Sequence, residues 1–355
     1  EPEEVYVDII GEGQRSTLFN ENWKFHRGDV ENAQDVNYND TTWENINLPH
    51  DYSIDQEFTT SGEAESGFLP GGVGWYRKSF VVPEKYKDKQ LMVEFDGAYM
   101  NAEVYLNGKK LGDHPYGYTA FAFDLTDGLI CDGKTENVLV VKTNNQIPSS
   151  RWYSGSGIYR DVTLTVTDDV HVGYNGTQII AQDLEANKNG TVEVDITTTV
   201  DSDTTKTVTV KNTLLDENGK VASNTTTSQV EIAADSVQDI EQSVNVEKPE
   251  LWSVDDANMY KMKTEIVEND EVLDTYETDY GFRYYNFDKD TGFSLNGEKM
   301  KLKGVSMHHD QGSLGAVANR DAIERQVKIL KEMGCNAIRV THNPAASALL
   351  DICNE

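Results

Sequence analysis

Residues 301–355 constrain the fold more than any other stretch. Residues 301–307 (KLKGVSM) read as a short strand that runs straight into His308, His309 and Asp310. A helix follows. Asn319 can cap it, Asp321 suits the positive end of its dipole, and Ile323, Val327 and Leu330 recur at helical spacing. Gly334 can stop it in a left-handed conformation. A second buried-type strand at 336–340 (NAIRV) then ends in Thr341, His342, Asn343 and Pro344. Strand, helix and strand with so short a crossover form a right-handed βαβ unit, so the two strands are parallel. Both polar clusters therefore leave the same edge, the C-terminal end of the strands, where (β/α)8 barrel enzymes build their active sites.

Upstream, the chain is rich in strands. Residues 91–95 alternate, then Ala102, Val104 and Leu106 alternate with polar neighbours before Asn107-Gly108, whose two residues accept positive φ and mark a hairpin. Further strands at 138–143 and 162–167 complete a jelly-roll-like β-sandwich over residues 1–168. From Val170 the chain turns rich in Thr, Asp and Val and poor in aromatics. Strands expected at 191–200, 206–215, 221–232, 260–267 and 272–279, with no helix, describe an immunoglobulin-like sandwich over 169–283. Residues 293–300 read as a hairpin flooring a barrel. Residues 284–355 are then the truncated start of a TIM barrel. Two parallel strands and one helix leave sheet faces uncovered, so this last segment is expected to be the least protected part of the chain.

The acidic balance, 61 acidic against 31 basic residues, repels nucleic acid and anionic membranes. No apolar run approaches the ~18 residues of a membrane-spanning helix. Cys131, Cys335 and Cys353 form no close-spaced pair, so packing is favoured over disulfides or zinc. The chain begins at Glu1 rather than methionine, which fits removal of a leader and favours a bacterial extracellular or cell-surface protein over a cytoplasmic one. The compartment stays open.

The runs NAIRVTHNPAASALLDICN and KGVSMHHDQGSLGA resemble the first signature, and the strand before it, of glycoside hydrolase family 2. WKFHRGD, LPHDYSI, GGVGWYRKSF and SSRWYSGSGIYRDV resemble that family's sugar-binding-type N-terminal domain. All occur in the family's order. The resemblance implies a retaining glycosidase that cleaves terminal β-D-galactosides with two glutamates. It places both glutamates on later barrel strands, beyond Glu355, so this chain carries no catalytic carboxylate and is expected to be inactive alone. β-Glucuronidase and β-mannosidase are the alternatives within the family. Outside it stand a non-catalytic carbohydrate-binding module, which has no need of a βαβ unit, and an adhesive surface protein, which leaves the histidine clusters unexplained. The substrate is expected to be a β-galactoside or oligosaccharide, with room for a homo-oligomer and no required cofactor. A sodium or magnesium ion in such an enzyme is left open.

Site residues follow. By resemblance, His308 and His342 match histidines of the galactoside subsite, and Arg339 matches an arginine of the signature. Neutral imidazole donates and accepts, which suits hydroxyls. A metal site is disfavoured because His308 and His309, adjacent on a strand, face opposite sides. A core histidine satisfied by backbone remains open. Arg339 inside a buried strand would need a carboxylate partner, and in the family that partner set includes the attacking glutamate. Asn343 is a hydroxyl contact, while Asp310 and His309 are supports behind the site. Arg151 stands where well-known relatives carry an aspartate that touches sugar or holds sodium, which puts a sodium site there in doubt. It is expected to reach a substrate hydroxyl or an acidic group of the barrel. The loop 55–74 either lines the outer subsite or leaves Trp75 as core.

Overall fold

The computed structural model describes residues 14–355. It divides into two compact units, one holding the chain up to Val166 together with Gly304–Cys353, the other Thr167–Lys303 with Asn354–Glu355.

The first unit is built on a sandwich. Its larger sheet runs Glu44–Ile46, Trp23–Arg27, Gly72–Val81, Glu136–Asn145, Ala102–Leu106, Lys109–His114. Its smaller sheet runs Ser16–Leu18, Val162–Thr167, Gln90–Phe95, Phe121–Asp124. Alternating side chains of both sheets, among them Trp23, Tyr76, Phe80, Val93, Phe95 and Leu164, meet in one core. The hairpin at Asn107-Gly108 forms as expected, with φ of 49° and 82° at the two turn residues. Trp75 is core: it is buried, and its Nε1 donates to Asp29 Oδ1 at 3.0 Å.

Gly304–Met307 pairs in parallel with Ala337–Val340, placing Ser306 opposite Arg339 and Met307 opposite Val340. The helix between them, Arg320–Glu332, begins where Asn319 Oδ1 accepts the Ala322 amide at 3.0 Å. It stops at Gly334, whose φ is 88°. A second helix spans Ser347–Asn354. This βαβ segment is tied to the sandwich inside the first unit through the anchors described below, while part of its sheet stays exposed among the described residues.

The second unit contains two facing sheets, Val170–Ala181, Thr191–Ser202, Ser236–Glu247 and Val221–Thr226, Lys206–Leu215, Tyr260–Glu268, Glu271–Tyr280, with Val230–Ile232 also pairing Lys206–Leu215. The strand expected over 221–232 is thus two strands, and Ser236–Glu247 is an additional one. Buried Asn212 and Thr264 join across neighbouring strands by a 2.5 Å hydrogen bond. A small three-stranded sheet, Tyr285–Asp288, Gly292–Leu295 and Glu298–Lys299, turns at Asn296-Gly297. All three cysteines are free.

Candidate active site

Each parallel strand delivers one histidine to the same edge. Met307 leads into His308, and Val340 leads through Thr341 to His342. Thr341 donates its amide to the Met307 carbonyl at 3.0 Å, so the ladder holds the two strand ends together. The His308 and His342 rings lie 5.7 Å apart at 83°. A third ring completes the group. Trp152, on a loop of the sandwich, lies 5.4 Å from each imidazole. Its Nε1 donates to the Tyr118 hydroxyl at 2.9 Å.

His309 turns the other way, as alternation requires. Its Nε2 lies 3.0 Å from the Ser154 carbonyl, and its ring packs edge-on against Tyr118 and Tyr159. A carbonyl only accepts, so Nε2 carries the proton. Burial pushes the His309 pKa below its ordinary value and so favours the neutral ring, against the opposing pull of the Ser154 hydrogen bond. His309 is thus packed into the core with its Nε2 bonded to backbone. A cavity of about 30 Å³ beside it is lined by Tyr159, Arg160, Met307 and Asn343 among others.

Asn343 is 7% exposed, and its Nδ2 finds no hydrogen-bond partner among the described residues. The same holds for Nδ1 of His308 and of His309. Unpaired buried polar atoms are costly, and a cluster of them at a strand edge is where an incoming hydroxyl gains most.

Two buried charges fix this edge to the sandwich. Arg160, 1% exposed, donates to the carbonyls of Pro344 at 2.8 Å and Ala345 at 3.1 Å, just past His342 and Asn343, and to those of Asp96 and Tyr118 at 3.3 Å. Asp96 in turn accepts from the Ser347 amide and hydroxyl at 3.2 and 2.5 Å, which serves the first turn of the helix Ser347–Asn354. Asp51 accepts the amide of Ala316, in the loop that follows His309, at 2.9 Å. Sequence reasoning singled out none of Asp51, Asp96, Arg160 and Trp152 as site residues. The only signal was their membership in the quoted runs LPHDYSI and SSRWYSGSGIYRDV, and Asp96 lies in neither.

The arginines and Asp310 sit differently from the histidines. Arg339 is exposed rather than buried in its strand, because one face of the two-stranded sheet is open among the described residues. Arg151 and Asp310 are also exposed. The loop 55–74 approaches the site's sandwich side at Gly67, where a Cβ would lie 4.0 Å from the Tyr153 ring. No three His, Cys, Asp or Glu side chains among the described residues converge as a metal-binding group.

Comparison with known proteins gives three matches to one family. The sugar binding domain of glycosyl hydrolases family 2 matches residues 29–168, a second domain of that family matches 175–283, and its TIM barrel domain matches 288–355. A β-galactosidase of Bacteroides ovatus, BoGH2A, is 43% identical over 98% of this chain and 40% of its own length. A putative β-glucuronidase of Formosa agariphila is 37% identical over 97% of this chain and 32% of its own. A solved family 2 glycosyl hydrolase of Bacteroides cellulosilyticus superimposes with a TM-score of 0.91 at 36% identity, covering 96% of this chain and 44% of that one. The chain therefore spans less than half the length of these relatives.

Proposed function

This chain belongs to family 2 of the glycosyl hydrolases, and on that footing we propose that the protein carrying it is a retaining β-glycosidase acting on terminal β-D-galactosides, with His308, His342 and Asn343 contacting sugar hydroxyls. The observation that carries this reading is the His308–His342 pair, two imidazoles 5.7 Å apart at the C-terminal ends of adjacent parallel strands. Such a pair presents donors and acceptors to neighbouring hydroxyls without adding a fixed charge. Retention needs two carboxyl groups about 5–5.5 Å apart, one attacking the anomeric carbon and the other protonating the leaving group. We place both outside residues 1–355, a reading supported by the chain's spanning 40% of the length of the β-galactosidase it is similar to. Arg339 and Arg151, both exposed, are proposed to meet carboxylates or hydroxyls there. No sodium or magnesium ion is assigned to these residues.

The test is hydrolysis of p-nitrophenyl β-galactoside, β-glucuronide and β-mannoside by the protein carrying this chain, with the anomer of the first product read by NMR. Faster turnover of the galactoside and release of the β-anomer are expected. Preference for the glucuronide would favour the second reading, which rests on the similarity to a putative β-glucuronidase. Release of the α-anomer would remove the retaining mechanism.

A further inference from the structure

The strand ends place two histidines side by side, but strand geometry does not set the rotation of their rings. The terminal torsion of histidine is broad, so an imidazole points where its contacts hold it. His308 Nδ1 is buried without a hydrogen-bond partner among the described residues, and the contacts recorded for both rings are ring contacts. The group that touches both is Trp152. Its indole lies 5.4 Å from each, inclined 42° to His308 and 52° to His342, so the three rings form a nearly equilateral triangle.

The indole is itself held. Its Nε1 donates to the Tyr118 hydroxyl at 2.9 Å, and the carbonyl of Trp152 accepts from Ser150 Oγ at 2.5 Å. Tyr118 is buried, lies 5.0 Å from Tyr99, and packs edge-on against His309 at 5.2 Å. A continuous set of ring contacts and one hydrogen bond therefore runs from the buried tyrosines of the sandwich through Trp152 to both histidines at the strand edge.

We propose that Trp152 is a positioning residue that fixes the mutual orientation of His308 and His342, so that the sandwich completes a subsite whose polar atoms come from the barrel strands. The ligand class is a pyranose with adjacent hydroxyls, and this part rests on the β-galactoside reading above. The orientation itself does not, and can be read without any sugar.

The experiment uses the protein that carries this chain, with its histidines isotopically labelled, the His308 and His342 signals being assigned with His308→Ala and His342→Ala. The wild-type chain should give an inter-ring cross-peak between the two histidines. Trp152→Phe, which keeps an aromatic ring but loses the Nε1 bond to Tyr118, should weaken it, and Trp152→Ala should lose it and move both sets of resonances while the other histidine signals stay in place. Tyr118→Phe, which removes only the hydroxyl that holds the indole, should weaken the cross-peak and guards against a misfolded alanine variant. A second arm titrates methyl β-galactoside, with an expected loss of about tenfold or more in affinity for Trp152→Ala and a smaller loss for Trp152→Phe. An undiminished cross-peak with unmoved His308 and His342 signals in Trp152→Ala overturns the proposal. Failure of the wild-type histidine signals to respond to the galactoside would instead count against the galactoside reading, while the cross-peak comparison still decides the role of Trp152.

Discussion

The Tyr153 hydroxyl donates to Asp51 Oδ2 at 2.5 Å, and the same carboxylate, only 1% exposed, accepts the backbone amides of Ser53, Ser156 and Ala316, each at 2.9 Å. A buried anion is tolerable only when its lone pairs are filled, and here four donors from three separate segments fill them. Burial first, and the neighbouring carboxylate second, push the Tyr153 pKa well up, so the phenol stays a donor. Asp51 is therefore a knot joining the sandwich, the loop that carries Trp152, and the loop after His309.

Asp51→Ala should destabilise the first unit by about 3–5 kcal/mol, because three buried amides and a phenol lose their acceptor together. Gly315→Ala should act on the same knot. Its φ is +62°, and the added Cβ would stand 2.4 Å from Asp51 Oδ2. Gly219→Ala is the control, with a φ of +76° but nothing within 4 Å of the new Cβ, so that it carries the backbone strain alone. Urea denaturation checks the order Asp51→Ala and Gly315→Ala well below Gly219→Ala. Equal midpoints for the two glycine variants would deny that Asp51 crowds Gly315.

Arg160 makes a second long-range link. Its guanidinium reaches the carbonyls of Pro344 and Ala345, which leave the strand edge at His342 and Asn343. Arg160→Lys keeps the charge but not the planar fork, so it cannot reach all these oxygens at once. Hydrogen exchange should rise in Gly304–Cys353 in this variant and stay at the wild-type level in Thr167–Lys303. Unchanged exchange at 341–353 would mean that the helix contacts hold the segment without the arginine.

These anchors explain what could be read from the sequence and what could not. The helix Arg320–Glu332 was legible because its signals are local: Asn319, just before it, caps the amide three residues on, and Gly334 ends it. The Asn107-Gly108 hairpin was legible for the same reason. Ser236–Glu247 was missed since its strand period is hidden, with Val237 exposed while Ile240, Val244 and Val246 face the core among Gln, Asp and Glu. The opposed orientation of His308 and His309 followed from strand alternation alone. Asp51 and Arg160 could not be picked out, because their partners lie up to 265 and 185 residues away. Arg339 was expected in a buried strand, but burial depends on what covers a sheet, and its two-stranded sheet is open on that side among the described residues.

Stability should also fall on mild acidification through His309. Burial lowers its folded-state pKa below the ordinary 6.5, so the unfolded chain binds the proton more readily. The contribution is fully present above about pH 6.5 and is lost as the pH falls through the folded-state value. His50 is lowered by burial too, against the pull of Asp55, and adds to the same trend. His309→Gln can still donate to the Ser154 carbonyl but does not titrate. Its unfolding free energy should therefore fall less steeply than the wild type's as the pH drops below about 6.5, the largest difference in slope for one proton being about 1.4 kcal/mol per pH unit. Parallel slopes in urea melts would show that His309 is not buried neutral.

The histidines at the strand edge carry the functional prediction. In the protein that carries this chain, His308→Ala and His342→Ala should each lower kcat/KM for a β-galactoside by the equivalent of about 1–3 kcal/mol, since a sugar hydroxyl loses its partner in the transition state. Neither side chain is part of the Asp51 or Arg160 anchors, so thermal unfolding of both variants should stay close to wild type. His342 is exposed and His308 half-buried, which makes a large packing loss unexpected for His342 and a smaller effect on folding than on kcat/KM expected for His308. The two losses should not add fully in the double variant, because the rings share Trp152 and face one another at 5.7 Å. Wild-type kcat/KM in both single variants would take these residues out of the sugar site, whatever the protein hydrolyses.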